Sequence, residues 1–577
     1  MKKVIAVVEK SKCYPDRCGH ECMKYDPLNR VKQDSGFHLG ISGKAEIAEE
    51  VVTEMHKICA KKCPFEAIHI VKLPEELNEN PIHQYGKNGF RIFRFPIPRF
   101  NSVVGLLGRN GIGKSTILQI LAGIIKPNLG KEKASYEEFI EHLKGSEAQK
   151  FFEKLKNNEI SVSFKPQRVD DIPKLFSGTV KSLLEKANET NKLNEIIKEL
   201  GLKDILDRDV KHISGGELQR VAIAACALKK ADIYLIDEPT SYLDIKQRLK
   251  VAKFIKSLAD ETTAVMVVEH DLLILDYMAD YIHIVYGAPV VYGIISQLKS
   301  AKNGINSYLE GLLREENVRI RDKPIKFEIS SLDRIISQKK LINWPLINKK
   351  LNSFTLTSEE GSINEKEVIG IIGENGIGKT TFVKILAGEI PVENFKDKLK
   401  VAYKPQYITP TEETVAAMLK NCDKNQIKPL ELESLMTKKL TELSGGELQR
   451  VIVAKSLFEK ADIYLLDEPS AYLDVEQRLI VSRLIKDNIF LKEKSAIIVD
   501  HDLMFLDHIS SNLMVFEGKP AIHGVAAGPF TIEQGLNRFL KSVEITLRRD
   551  HETKRPRMNK LGSQLDKQQK ESWHYFV

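Results

Sequence analysis

No uninterrupted apolar stretch in these 577 residues approaches the ~18 needed to cross a bilayer. The opening run, MKKVIAVVEKSK, has too short an apolar segment for a secretory h-region and soon meets charge. A cytoplasmic protein without a membrane partner is expected. A strong excess of one charge is also missing. A net charge of +8 is modest for this length, so it permits a nucleic-acid partner without requiring one. Cysteine is scarce and uneven: Cys13, Cys18, Cys22, Cys59 and Cys63 cluster, while Cys226 and Cys422 stand alone. In a reducing compartment that cluster points to metal rather than disulfides. The two lone cysteines read as core residues or free thiols. The chain is too long for one core, so about three or four domains are expected. At 42% hydrophobic and 29% charged residues its composition is that of a globular protein.

A large internal repeat is present. GRNGIGKST begins at Gly108 and GENGIGKTT at Gly373. ISGGELQRV, ADIYLIDEPTSYLDIKQRL and VVEHD each have a counterpart 230 or 231 residues later. Two copies indicate a duplicated domain, not a solenoid. The glycine-rich loops are 265 residues apart, so the first copy carries 35 extra residues, most of them before KPQ at Lys165. The insertion maps to about residues 135–157, where apolar residues recur at helical spacing on both sides of Lys144-Gly145-Ser146. It reads as a helix–loop–helix on the domain surface.

The motifs carry specific chemistry. Gly-x-x-x-x-Gly-Lys-Ser/Thr after an apolar strand is a phosphate loop, whose backbone N–H groups and helix N-terminus face phosphate oxygens. Its nucleotide-binding residues are Asn110, Gly111, Gly113, Lys114, Ser115 and Thr116, and in the second copy Asn375, Gly376, Gly378, Lys379, Thr380 and Thr381. The lysines should reach the β- and γ-phosphates, and Ser115 and Thr380 should hold Mg²⁺. Asp237 and Asp467 complete the metal site. Glu238 and Glu468 follow them and are placed to polarise attacking water. ATP and Mg²⁺ are the expected ligands.

SGGE followed by LQR, then a strand ending in Asp-Glu-Pro, resembles the ATP-binding-cassette (ABC) superfamily. The resemblance implies an ATPase in which Gln167 and Gln406 sense Mg²⁺ and water, and His270 and His501 contact the γ-phosphate. Asp244 and Asp474 would form the D-loops. Ser214 and Gly216, or Ser444 and Gly446, would close over the other copy's ATP in a head-to-tail sandwich. Glu217 and Glu447 stand where Gln is usual, and Asp500 stands where the first copy has Glu269. With the cysteine-rich segment in front, HQYGKNGFRIFRFPIPR before the first loop and RRDxxxxRPRxNKL near the end, the chain is similar to the E subfamily of ABC proteins, the RNase L inhibitor family. That similarity implies ribosome recycling, two [4Fe-4S] clusters and adenine contacts from Tyr85 and Phe90, with Phe354 a weaker match in the second copy. The partners it implies are the small ribosomal subunit and its rRNA, a release factor or Pelota-like paralogue, and initiation factors; the chain itself would be a monomer.

The family pattern has eight cysteines in two runs of four. Here the runs read Cys13, Cys18, Cys22, Asp26 and Thr53, His56, Cys59, Cys63. In such folds the last cysteine of each run crosses to the other cluster. One cluster therefore keeps Cys13, Cys18, Cys22 and Cys63. The other would have Asp26, Thr53, His56 and Cys59. One [4Fe-4S] cluster is expected. Zinc on the same four thiolates is the alternative metal; Asp26, His56 and Cys59 could themselves hold a single metal ion, but exposed acids and histidines usually mean nothing more.

The expected fold is α/β: two ABC-type nucleotide-binding domains preceded by a small α+β ferredoxin-like domain, with hinge segments. The boundaries are 1–75 for the cysteine domain, 76–317 and 328–544 for the nucleotide-binding domains, and 318–327 for the first hinge. Residues 545–577 form a second hinge and a C-terminal segment that is either frayed or a strap. The hinges are read from Arg319, Arg321, Asp322 and Arg548, Arg549, Asp550. Two alternatives are an F-type ABC translation factor, which typically carries a long charged helical linker, and an ABC transporter ATPase, which needs membrane subunits.

Overall fold

The computed structural model describes residues 4–31, 35–74, 80–131, 134–327, 339–351, 353–392, 400–423 and 427–577. The expected domain limits at 75/76 and at 328 lie outside the described residues. The chain divides into two units. One holds residues 1–239, 255–269 and 279–322; the other holds residues 240–254, 270–278 and 323–577.

The first unit opens with a small layer. Strands Val4–Val8 and Ile68–Lys72 pair antiparallel. Short helices Glu21–Lys24, Pro27–Arg30 and Lys57–Lys62 lie between them in sequence. Helices of one or two turns do not hold in water by propensity; these share a core of Ala6, Val8, Phe37, Ile47, Ile68 and Ile70 that includes Cys22 and Cys59.

The main sheet of this unit has a parallel run in the spatial order Val162–Lys165, Ile233–Asp237, Ala264–Val268, Val103–Leu107, Tyr281–Ala288. Strands such as VVGLL and AVMVV are apolar throughout and wholly buried, as a sheet covered on both faces requires. Tyr292–Ile295, Arg91–Phe93 and His83–Gln84 extend the sheet. The phosphate loop leaves the C-terminal end of Val103–Leu107 and enters helix Lys114–Leu121, the place where open α/β sheets bind ligands.

The insertion folds as helices Tyr136–His142 and Glu147–Lys156, capped by Ser135 and Ser146. Gly145, at φ +81°, makes the turn. Phe139 and Phe152 stack edge-on with each other and with Phe95, so one face is rooted in the domain core.

The second unit repeats the strand order: Val401–Lys404, Ile463–Asp467, Ser495–Val499, Val368–Gly373, Asn512–Lys519, then His523–Thr531, Phe354–Ser358 and Ile347–Leu351. Its C-terminal end is a strap. Leu547–Arg549 pairs with Pro556–Met558. Asp566 and Gln569 of helix Gln564–Glu571 bond back to Thr546 and to the Leu547 carbonyl. Arg549 grips Asp507 with two bonds, and the buried Arg555 and Arg557 both grip Asp276. Among the described residues no helix is long and apolar enough to cross a membrane.

Candidate ATP sites and cysteine site

Each phosphate loop places its lysine at the start of a helix. Gly113 and Gly378 sit at φ +98° and +94°, a left-handed turn in which a side chain would be strained. Lys114 Nζ donates to the Gly108 and Arg109 carbonyls, and Lys379 Nζ to those of Gly373 and Glu374. Burial pushes the Lys379 ammonium down to about 8, against the pull of Asp244, Glu468 and Asp467. Asp244 also accepts the Asn375 N–H at 3.0 Å, and Lys246 pairs with Glu374 at 2.9 Å, so the first copy's D-loop segment packs on the second phosphate loop inside the second unit.

Ser115 and Thr380 meet the carboxylates that end the neighbouring strands. Thr380 donates to Asp467 at 2.8 Å, and Ser115 bonds Asp237. Burial raises both carboxyls to about 6. Asp237 Oδ1 is buried without a hydrogen-bond partner among the described residues. Two buried carboxylates, each beside a loop hydroxyl, fit Mg²⁺.

Gln167 and Gln406 do not simply flank the metal residues. Each donates from Nε2 to the carboxylate of Glu238 or Glu468, at 2.7 Å in both copies. His501 Nε2 lies 3.4 Å from Glu468. Burial alone would raise Glu468; His501 and the nearby lysines outweigh it and hold the carboxyl at about 2. Held ionised, it accepts hydrogen bonds and has no proton to give. His270 is buried in the second unit, next to Asp271, which caps the following helix and pairs with Arg248 at 2.8 Å. Asp502 and Arg478 repeat that arrangement after His501.

The departures noted in the sequence have local causes. Ser214 and Glu217 form a reciprocal capping box on helix Gly215–Ala227, as do Ser444 and Glu447 on helix Gly445–Phe458. Glu serves at the third helical position because its carboxylate accepts the cap N–H and its charge suits the helix N-terminus. Gly446 is sterically required: a Cβ there would sit 2.9 Å from the Tyr472 carbonyl. Asp500 accepts both the Ser470 N–H and its hydroxyl, which fixes the turn after Glu468.

Phe90 and Phe354 occupy the same place in the two copies. Their ring edges lie 2.7 and 2.8 Å from where a Cβ on Gly113 or Gly378 would stand. Tyr85 is half-exposed and its hydroxyl donates to Thr116 at 3.2 Å. Sequence reasoning missed what holds this loop. Asn88, wholly buried at φ +53°, bonds the cysteine domain three times: its carbonyl takes the Val8 N–H, its Oδ1 the Ile47 N–H, and its Nδ2 donates to Ala6. Arg91 also pairs with Glu49. The segment of residues 85–91 and the cysteine domain are therefore one bonded structure.

In the cysteine domain, burial raises the Cys22 thiol to about 12, helped by Cys63, Cys13 and Cys18; Cys63 is raised in turn by burial and by Cys13 and Cys18. The four thiols therefore lie near enough to oppose one another's ionisation, and deprotonating them together needs a cation. Among the described residues no group of three or more His, Cys, Asp or Glu is set around a single metal ion. The donor set fits a four-thiolate cluster, which spreads its ligands over several irons.

The second half-site is a correction. Asp26 and His56 are not exposed; they are 0% and 1% accessible. Asp26 Oδ1 accepts the N–H groups of Leu28 and Asn29, and Oδ2 that of Phe37. His56 Nδ1 engages Thr53, and its Nε2 lies 3.8 Å from Asp26. Cys59 is raised to about 12 by burial and by the Asp26 charge. This set does not fit a cluster: its hard donor is already used by backbone N–H groups.

A family model described as ABC transporter matches residues 96–241 and 356–471. Another, described as a possible Fer4-like domain in RNase L inhibitor, RLI, matches residues 4–34. An uncharacterised ABC transporter ATP-binding protein of Methanocaldococcus jannaschii is 49% identical over 99% of this chain and 97% of its own. A solved structure described as a model of ribosome-bound archaeal Pelota and ABCE1 superposes with a TM-score of 0.93 at 49% identity, covering 100% of this chain and 99% of that one. The chain belongs to the RNase L inhibitor (ABCE) family. Like other ABCE members it is an ABC-type ATPase with a Fer4-like N-terminal domain. A further ABCE relative, described as an archaeal ribosome recycling factor in complex with ribosomal stalk protein aP1, matches with a TM-score of 0.83 at 50% identity over 87% of this chain and 100% of that chain.

Proposed function

We propose that this chain is an ATP-driven ribosome recycling factor. Glu238 and Glu468 polarise the water that attacks the γ-phosphate. Ser115, Thr380, Asp237 and Asp467 hold Mg²⁺, with Gln167 and Gln406 beside it. Ser214, Gly216, Ser444 and Gly446 close over ATP in a head-to-tail sandwich, and His270 and His501 contact the γ-phosphate. Cys13, Cys18, Cys22 and Cys63 hold one [4Fe-4S] cluster, which when bound ties residues 13–22 to residue 63. The partners are the small ribosomal subunit and its rRNA, and a release factor or Pelota-like protein. The site of action is the cytoplasm.

The observation that carries this reading is the bonding of the cysteine domain to the adenine loop through Asn88. An ATP-dependent movement of that loop is passed directly to the N-terminal domain. A transporter ATPase has no use for such a link, and an F-type factor lacks the domain. Full-length protein should co-sediment with small ribosomal subunits in the presence of a non-hydrolysable ATP analogue and release when ATP is hydrolysed. Nucleotide-independent or absent association would refute the proposal.

A further inference from the structure

Lys165 and Lys404 open the KPQ tripeptides and are 1% and 0% exposed. A buried ammonium is costly unless its hydrogen bonds are made. Here they are made to one target. Lys165 Nζ donates to the carbonyls of Asp237 at 2.8 Å and Glu238 at 3.3 Å. Lys404 Nζ donates to those of Asp467 at 2.6 Å and Glu468 at 3.0 Å. A second donor reaches the same carbonyl from the signature helix: Gln219 Nε2 to Glu238 and Gln449 Nε2 to Glu468, both at 2.6 Å. The opposite side of each glutamate is also fixed, its N–H bonded to Val268 at 2.9 Å or to Val499 at 2.7 Å.

These glutamates need holding. Glu238 and Glu468 lie at φ +46° and +49°, a strained left-handed conformation that a non-glycine residue keeps only where its surroundings impose it. The conformation turns the side chain out of the strand direction, and the carboxylate meets Gln167 or Gln406 there. The two copies repeat each of these contacts.

We infer that Lys165 and Lys404, assisted by Gln219 and Gln449, are positioning residues for hydrolysis: by bonding the glutamate carbonyls they lock the left-handed turn that aims each carboxylate at water. The inference rests on Glu238 and Glu468 being the water-polarising groups. A lysine suits the task because one charged donor serves two adjacent carbonyls at a buried strand end. Methionine fills the same length but offers neither bond.

The test uses the full-length protein with one site silenced at a time: Lys165→Met in a Glu468→Gln chain, and Lys404→Met in a Glu238→Gln chain. The readouts are kcat, KM, binding of a fluorescent ATP analogue, and Tm. The expected result is a fall in kcat of about 10–100-fold, the scale of a misplaced catalytic group, with nucleotide affinity held within about threefold. Lys→Arg, which keeps a charged multiple donor, should recover part of the rate. Folded Lys→Met chains with unchanged kcat would overturn the inference, and so would a raised KM at constant kcat. Should Lys→Met prevent folding, Gln219→Ala and Gln449→Ala carry the same test: lost kcat with retained affinity supports the inference, and unchanged kcat overturns it. Failure of the underlying glutamate assignment shows separately, as wild-type hydrolysis in the Glu238→Gln/Glu468→Gln chain.

Discussion

Gln167 and Glu238 are joined side chain to side chain at 2.7 Å, and Gln406 and Glu468 are joined in the same way. On the proposed roles, the residue that senses the metal touches the residue that orients water. Glu238→Gln or Glu468→Gln should keep ATP binding and slow hydrolysis at the altered site by roughly 10²–10⁴. The first copy's loop of residues 85–90 is bonded to the cysteine domain through Asn88, so the two variants should differ in steady-state rate. Equal rates would count against asymmetry. Undiminished turnover in the double variant would remove both glutamates from the mechanism.

Magnesium binding should depend on pH in a defined direction. Burial raises Asp237 and Asp467 to about 6, from ~4 in an unfolded chain. The folded protein holds these protons to higher pH, so ionising the carboxyls weakens the fold as pH rises from about 4 to about 6. Mg²⁺ binds the ionised form and offsets that loss. Affinity for Mg–ATP should therefore fall by about tenfold per site for each pH unit below about 6 and be flat above it. Calorimetric titrations at pH 5 and 7 that gave equal affinities would contradict this.

Lys144, Lys150 and Lys154 are exposed on the insertion, while Phe139, Phe151 and Phe152 are buried beneath it. Deleting residues 135–157 would open the domain core, so the clean variant is Lys144→Gln/Lys150→Gln/Lys154→Gln. If the element grips ribosomal RNA through phosphates, this variant should weaken subunit binding and reduce the magnitude of the salt slope by up to about 3. ATP hydrolysis without ribosomes should be unchanged. An unaltered salt slope would make the insertion a packed loop without an RNA role.

How much of this was legible depends on what each residue type can signal. The phosphate loops, the Asp-Glu pairs and the duplicated domain follow from contiguous motifs, because a strand–loop–helix must be contiguous to work. Lys165 and Asn88 were in plain view, in KPQ and YGKNGF, yet their roles depend on partners 72 and 82 residues away in sequence. A lysine between strand and loop reads as surface until the sheet places Asp237 beside it. Asp26 and His56 misled for the same reason: acids and histidines are usually exposed, and only the fold shows three N–H groups converging on one carboxylate.

That carboxylate gives the last prediction. Asp26 and His56 stand where the resemblance expects cysteine, and hydrogen bonds fix them there. Anaerobically purified protein should contain about four iron and four sulfide per chain. Serine at any one of Cys13, Cys18, Cys22 or Cys63 should largely abolish the iron, whereas Cys59→Ser should leave it nearly intact. Asp26→Ala removes the acceptor for three backbone donors in a dry core. Leaving them unpaired should cost about 2–4 kcal/mol locally, seen as faster amide exchange in residues 26–31, 35–38 and 53–59, with the ATPase domains unaffected. The reverse change is the stronger test. Asp26→Cys, Thr53→Cys and His56→Cys together rebuild the four-thiolate set with Cys59 and should raise the iron content towards eight. Eight irons in the unmodified protein would show that the hydrogen-bonded half-site binds a cluster after all, and stoichiometric zinc without sulfide would keep the four ligands but replace the chemistry assigned to them.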